Sequence, residues 1–481
     1  MHPLTVDGNP RLSLWRQVRE FAVPPSMISS ATARRTVGDW AGACAAARVD
    51  VDLDLRVVAR THGRELAARI RDDLRHLAPD LLRWHMPRIA PDGLLRPGLT
   101  IPLARYHPPG QADGNPVHLV VRTPPAWADA GQRISLALWD GSRSGPGSRS
   151  GPGSHPHPRP HRRFRLDLHR HLWDARRTDE LRVRSGADRP SPGADPAPSA
   201  GEQAAPLADG HPAADVLRGR GCAVDRWAAE AGILLEVEGR TGGAVAVRLG
   251  ARYQLVLDLS VDGNTGGIPG LRITSMSTGS RTSALPVLPD AATWVPPDLA
   301  LLSAGLIDVD GLHPLVASAL VPGHPPADAP RMPDGTANQR LVECRGARHR
   351  IGPVNGVLVA LDHDPAEIRR EELLAALTGT PLPCLKAIDD AHRHPERLAD
   401  VRARLDHGDT AGALAAVEDL LGPDALLRSG ALRDELETAA LRRIAHGLFR
   451  AGLTGHGPVP HRSRTGRPRD HRTRPRHATF R

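Results

Sequence analysis

The chain has almost no lysine. Of its 63 basic residues one, Lys386, is a lysine and 62 are arginines. A P-loop needs Gly-Lys-Ser/Thr to reach the β- and γ-phosphates, a protein kinase needs a strand lysine, and a pyridoxal-phosphate enzyme needs a Schiff-base amine. Lys386 stands in PLPCLKAIDDAH, which offers none of these contexts. Aromatic residues are also scarce, at 3% of the chain, so any core must be built from Leu, Val, Ile and Ala. The four cysteines (Cys44, Cys222, Cys344, Cys384) lie far apart with no C-x-x-C pair. Disulfide frameworks and zinc fingers draw on clustered thiols, so neither is expected, no metal or cofactor is expected, and the thiols are expected to be reduced. The N-terminal stretch MHPLTVDGNPRLSLWRQVREF lacks a signal-like apolar segment. No run approaches the roughly 18 apolar residues of a membrane span, so a cytoplasmic protein without membrane contact is expected.

What is abundant is arginine, with 47 glycines and 46 prolines. That is the bias of a GC-rich bacterial coding sequence, which weakens any single arginine as a sign of bidentate recognition. The net charge of +9 is also localised. Eight arginines after His461 (Arg462, Arg464, Arg467, Arg469, Arg472, Arg474, Arg476 and Arg481) against Asp470 carry +7, leaving +2 for the first 460 residues. Basicity therefore points to a tail able to touch nucleic acid or an acidic protein, not to a nucleic-acid-binding fold.

Composition predicts an α+β chain of several parts, with small antiparallel sheets, helical N-terminal and C-terminal regions and disordered linkers. Residues 1–184 read as helices followed by a β-hairpin whose tip carries the low-complexity insertion 141–162, GSRSGPGSRSGPGSHPHPRPHR. Segments 185–213 and 322–338 read as Pro- and Ala-rich linkers, and 455–481 as a disordered Arg-rich tail, because such compositions cannot offset their ordering entropy. Residues 214–321 read as a helix, a meander of four strands beginning with ILLEVEG, and flanking helices. Residues 339–454 read as a short β-hairpin followed by helices.

In the first part, QRISLALWD and RFRLDL both alternate with the two-residue period of a strand and are expected to pair. His155, His157 and His161 then belong to a mobile tip. His169 and His171 are placed on a helix capped by Asp167, about 200° apart and unable to share a metal. DGNTGGIPG (262–270) lies between two predicted strands and reads as a hairpin loop. In LDHDPAEIRREELLAAL, Asp362, His363 and Asp364 resemble a metal cluster, but Asp364 followed by Pro365 and Glu367 reads as a helix cap. LDHGDTAGALAAVEDLLG (405–422) is similar to the helical-hairpin unit of tetratricopeptide proteins, which implies a helical hairpin here.

The best catalytic candidates are in RDDLRHLAPDLLRWHMPR. Asp72 and Asp73 precede His76 by four and three residues, a spacing that lets a carboxylate orient an imidazole on a helix, and His85 follows. Against this stands a solvated helix face. With no recognisable nucleophile elbow, metalloprotease motif or dinucleotide fingerprint, the leading expectation is a non-catalytic interaction or adaptor protein with an unknown protein partner. The alternatives are an enzyme, such as a hydrolase, using the Asp72/His76 region, and sequence-independent nucleic-acid binding through the tail.

Overall fold

A computed structural model describes residues 10–107, 116–140, 159–187, 212–250, 253–260, 270–277, 285–323, 340–344, 346–354, 357–379, 381–393, 398–421, 427 and 429–453. Most of the insertion (141–158), most of both linkers, the glycine-rich loop 261–269, His394–Pro395 and the arginines of the tail lie outside the described residues. The fold is mixed α+β, with helices packed around sheets of two to four strands. The chain divides into two compact units. One holds the described residues up to Ala126 and from Arg133 to Gly323, and the other holds Trp127–Gln132 and the described residues from Arg340 to Leu453.

The first unit opens with α1 (Pro10–Gln17), a π-helical turn (Val18–Ala22), α2 (Pro25–Thr36) and α3 (Trp40–Ala46). The short strand β1 (Val49–Val51) precedes α4 (Leu55–His62), α5 (Arg64–His76) and α6 (Pro79–Trp84). Leu66, Ile70 and Leu74 recur every four residues on α5 and are fully buried, which is the stripe that makes this segment helical. Pro79 starts α6 at the first helical position, where its missing N–H costs nothing.

A two-stranded ribbon, β2 (Arg88–Ile89) and β3 (Leu94–Leu95), leads to β4 (Thr100–Tyr106), β5 (Val117–Arg122) and β6 (Ile134–Trp139). Their sheet has the order β1-β6-β5-β4, antiparallel except for the parallel β1–β6 pair that sets Val49 opposite Ile134.

That pairing corrects the predicted hairpin. The outer edge of β6 is taken by β1, and RFRLDL is not a strand. Leu166–Leu168 and Arg170–Leu172 are consecutive 3₁₀ turns. Phe164 and Leu166 still bury their side chains, so the alternation was real, but Trp173 Nε1 donates to the Leu166 carbonyl at 3.0 Å. His169 N–H also donates back to that carbonyl, at 3.1 Å, folding the segment onto itself. Nor is His161 on a mobile tip. Its N–H donates to the Thr100 carbonyl at 2.8 Å and its ring packs tilted against Phe164, centroids 4.8 Å apart.

The same unit continues with α7 (Glu180–Ser185), α8 (Pro212–Gly219) and α9 (Trp227–Val237), then the antiparallel meander β7 (Gly243–Arg248), β8 (Gln254–Ser260) and β9 (Gly270–Ser277). Three short helices, α10 (Asp290–Thr293), α11 (Pro297–Ser303) and α12 (Pro314–Leu320), complete it. The expected first strand, ILLEVEG, is largely the end of α9. Trp227, Ala231, Leu234 and Leu235 share one buried helical face, and that period outweighs the β-propensity of Ile and Val. Two hydrophobic cores serve this unit, one centred on Trp84, Trp173 and the α5 stripe, the other on Trp227, Trp294 and the meander.

The second unit has its own core. The meander β10 (Arg340–Cys344), β11 (Ala347–Val354) and β12 (Val357–Ala360) is followed by α13 (Pro365–Thr378), α14 (Pro383–Arg393), α15 (Leu398–Asp406), α16 (Thr410–Leu421) and α17 (Ala431–Arg450). Asp364 caps α13 by accepting from Ala366 N–H at 2.9 Å, with Pro365 at the first turn. α15 and α16 form the helical hairpin that the tetratricopeptide-like stretch implied. Its turn residue Gly408 has φ +81° and approaches the Gly131 backbone so closely that no Cβ would fit. No helix among the described residues is long and apolar enough to cross a membrane.

Candidate functional site

The first unit contains a cavity of about 110 Å³. Its walls come from α1, the residues that follow α6, the two 3₁₀ turns, α7, α9 and α10, so it opens where the two cores of this unit meet. The apolar lining includes Trp15, Met86, Phe164, Leu166, Leu172 and Trp294. The polar lining is unusually cationic: six arginines (Arg11, Arg88, Arg96, Arg165, Arg184, Arg226) and three histidines face two acids, Glu230 and Asp290.

The acids are engaged by neighbouring cations. Glu230 accepts Arg184 Nε and Nη2 at 2.7 and 2.6 Å and lies 3.1 Å from His169 Nε2. Burial alone would raise its pKa, but the bonds from His169 and Arg184 win and hold the carboxyl far below the usual range. His169 Nδ1 meets the Arg165 carbonyl at 3.1 Å. Both ring nitrogens therefore face acceptors. Asp290 receives Arg163 Nε and Nη2 at 2.9 and 2.6 Å and Trp294 Nε1 at 3.1 Å.

Other lining groups are less satisfied. Arg88 is buried, with its charge answered by the carbonyls of Gly93 and Arg83, and its Nε has no hydrogen-bond partner. Burial pushes its pKa down to about 9, so it remains charged at neutral pH. Arg11 likewise donates to the carbonyls of Gly221 and Val295, at 3.2 and 2.9 Å. His171 packs edge-on to His169, ring centroids 5.7 Å apart, and its buried Nδ1 has no hydrogen-bond partner. The meeting of these two rings corrects the helical placement, and it arises because 3₁₀ turns direct both side chains inward. Burial first, and then the neighbouring His169 and Arg184, hold His171 neutral. The side chain of His85, at the C-terminal end of α6, is also buried. Its Nε2 makes no hydrogen bond and stands 3.9 Å from Asp298, and burial lowers its pKa to about 4.

Of the catalytic residues expected from sequence, only His85 reaches this cavity. Asp72, Asp73 and His76 sit elsewhere on α5. His76 Nδ1 lies 2.8 Å from the Asp72 backbone carbonyl and 3.6 Å from its carboxylate, in an exposed position. Asp72 is bonded instead to Arg176. Asp73 is buried and accepts Tyr106 Oη at 2.6 Å and Arg176 Nη2 at 2.7 Å, with Arg170 also bound. Arg170 and Arg176 both reach buried Asp174 as well, so the cluster fastens the 170–176 segment to α5. In the second unit Asp362 pairs with Arg350 and Asp364 caps α13, while His363 turns toward Cys384.

Sequence reasoning missed His169, His171, Glu230 and Arg184 as a group. Glu230 is 61 positions from His169, and no local spacing could have joined them. Fold and site together describe an α+β protein with a partly open, cation-rich cavity. Comparison with family models, curated proteins and solved structures finds no match to this chain.

Proposed function

We propose that this is a non-catalytic binding protein whose first unit takes a small organic anion, with a carboxylate or phosphate head and an apolar body. The observation that carries this reading is the set of buried polar atoms without hydrogen-bond partners in the cavity lining: His85 Nε2, His171 Nδ1 and Arg88 Nε. Unsatisfied buried groups cost about 1–3 kcal/mol each, and a ligand that accepts from them repays that cost. The excess of arginine over acid selects negative charge, and a neutral imidazole can present an N–H through its choice of tautomer. Trp15, Phe164 and Trp294 supply apolar surface for the rest of the molecule. Binding is favoured over turnover because His169, the lining imidazole tied to a carboxylate, uses both ring nitrogens in that anchorage.

The test is thermal denaturation against a panel of carboxylates and phosphate monoesters carrying apolar groups. At one hundred times Kd a bound ligand stabilises by about 2.7 kcal/mol, a shift that the melting curve resolves. A panel in which no anion raises the melting temperature, while neutral or cationic analogues do, contradicts the reading.

A second reading, contact with a protein partner, is favoured by α13. This helix buries no residue fully and exposes Leu373, Leu374 and Leu377 at 64%, 54% and 86%. Leu377→Glu should reduce co-purification of any such partner without lowering stability. Unchanged co-purification contradicts that reading.

A further inference from the structure

The second unit brings together residues that the sequence keeps apart. Cys344 ends β10, His363 lies between β12 and α13, and Cys384 is in the first turn of α14. The two thiols and one imidazole nitrogen all lie within 4.8 Å of one another. Cys384 Sγ stands 3.5 Å from His363 Nε2. Two ligands at Zn–S of ~2.3 Å and Zn–N of ~2.0 Å, seen from a tetrahedral metal, are separated by about 3.5 Å, so this edge already has the length a zinc ion requires.

A fourth donor is close. His349 on β11 pairs with Val342, and Cys344 pairs with Ala347, which places Cys344 and His349 on the same face of that hairpin. The His349 ring stacks on His363 with centroids 4.1 Å apart, and its buried Nδ1 has no hydrogen-bond partner. On the other side of His363, Nδ1 is 3.8 Å from Glu367, the side from which a carboxylate commonly orients a metal-bound histidine once it closes to hydrogen-bond distance.

We propose that Cys344, His349, His363 and Cys384 form a tetrahedral Zn²⁺ site that ties the β10–β12 meander to α13 and α14. Two thiolates with two imidazoles are a borderline-soft donor set that suits zinc in a closed structural role. Binding releases the protons of the two thiols and leaves oxidation states unchanged. It also requires His349 to rotate out of its stack, because parallel rings have no common point of ligation. The rival account is an ordinary thiol–imidazole hydrogen bond at the edge of the third core.

The experiment is a Co²⁺ titration of the full chain, stripped of metal by a strong chelator under reducing conditions. One equivalent should give the intense visible and near-ultraviolet bands of tetrahedral cobalt bound by two thiolates, and Zn²⁺ should bleach them. Cys344→Ser or Cys384→Ser should cut the thiolate bands to half or less, whereas the double variant Cys44→Ser/Cys222→Ser should keep them. His349→Ala should weaken Zn²⁺ binding at least about ten-fold, and unchanged affinity overturns its place as fourth ligand. The wild-type titration needs no variant to fold. A folded metal-free chain that takes up no Co²⁺, or whose Cys344 and Cys384 close into a disulfide instead, overturns the site.

Discussion

Acid should destabilise the first unit through His85, and the size of the effect follows from its burial. The ring's pKa falls from an ordinary 6.5 to about 4 because burial penalises the charged form more than Asp298 favours it. A histidine depressed in this way binds fewer protons in the folded state than in the unfolded state. Its contribution to stability is therefore complete above about pH 6.5 and is lost as pH falls toward 4. At about 1.4 kcal/mol per unit the full loss is about 3 kcal/mol, most of which is reached by pH 4.5.

Urea denaturation at pH 7.5 and 4.5 measures this loss. Tryptophan fluorescence reports on the first unit, because Trp127 is the one tryptophan of the eight in the second. The comparison is with His85→Gln, which cannot titrate. Titration of the carboxylates is common to both proteins and cancels in the difference. Wild type should lose about 2–3 kcal/mol more than the variant between the two pH values. Equal losses would mean that His85 is solvated or already charged in the native protein, and the account of the cavity would fail at its wall.

Other outcomes follow from the α5 cluster and the tail. Asp73→Ala removes one acceptor from Arg170 and Arg176, which keep Asp174, and takes away the acceptor of the Tyr106 hydroxyl; it should cost about 1–3 kcal/mol in urea denaturation. Tyr106→Phe, which removes one bond, should cost about 1 kcal/mol. His76→Ala should change stability by less than about 0.5 kcal/mol and leave cellular function intact, and an inactive but folded variant would revive the enzyme reading. If the C-terminal arginines engage five to seven phosphates, affinity for duplex DNA should fall with log salt at a slope of about −4 to −6. Truncation after Gly457 should then abolish that binding, and a truncated chain that binds as tightly sets the idea aside.

The elements that could be read from sequence are those whose determinants are local. The α5 stripe, the Asp364–Pro365 cap, the β4–β6 strands and the α15–α16 hairpin each follow from side chains within one or two turns of each other. ILLEVEG and RFRLDL were misread because a short apolar run carries too little period to separate helix, strand and 3₁₀ turn. The deciding facts were nonlocal: Val49–Val51 taking the edge of β6, and Trp227 fixing the buried face of α9. The cavity was illegible for the same reason. Its charge logic joins His169 to Glu230 and Arg163 to Asp290, which is 127 positions away. Cys344 and Cys384 looked isolated because only the packing of α14 on β10 brings their thiols to His363.

The central claim is that the cavity of the first unit binds one small anion. Calorimetric titration of the most stabilising anion from the thermal panel tests it directly, in wild type and in His171→Phe, whose larger ring fills the space and removes the unpartnered Nδ1. The account predicts one site per chain in wild type and none in a folded His171→Phe. Equal affinity in the two proteins would place the ligand elsewhere and contradict it.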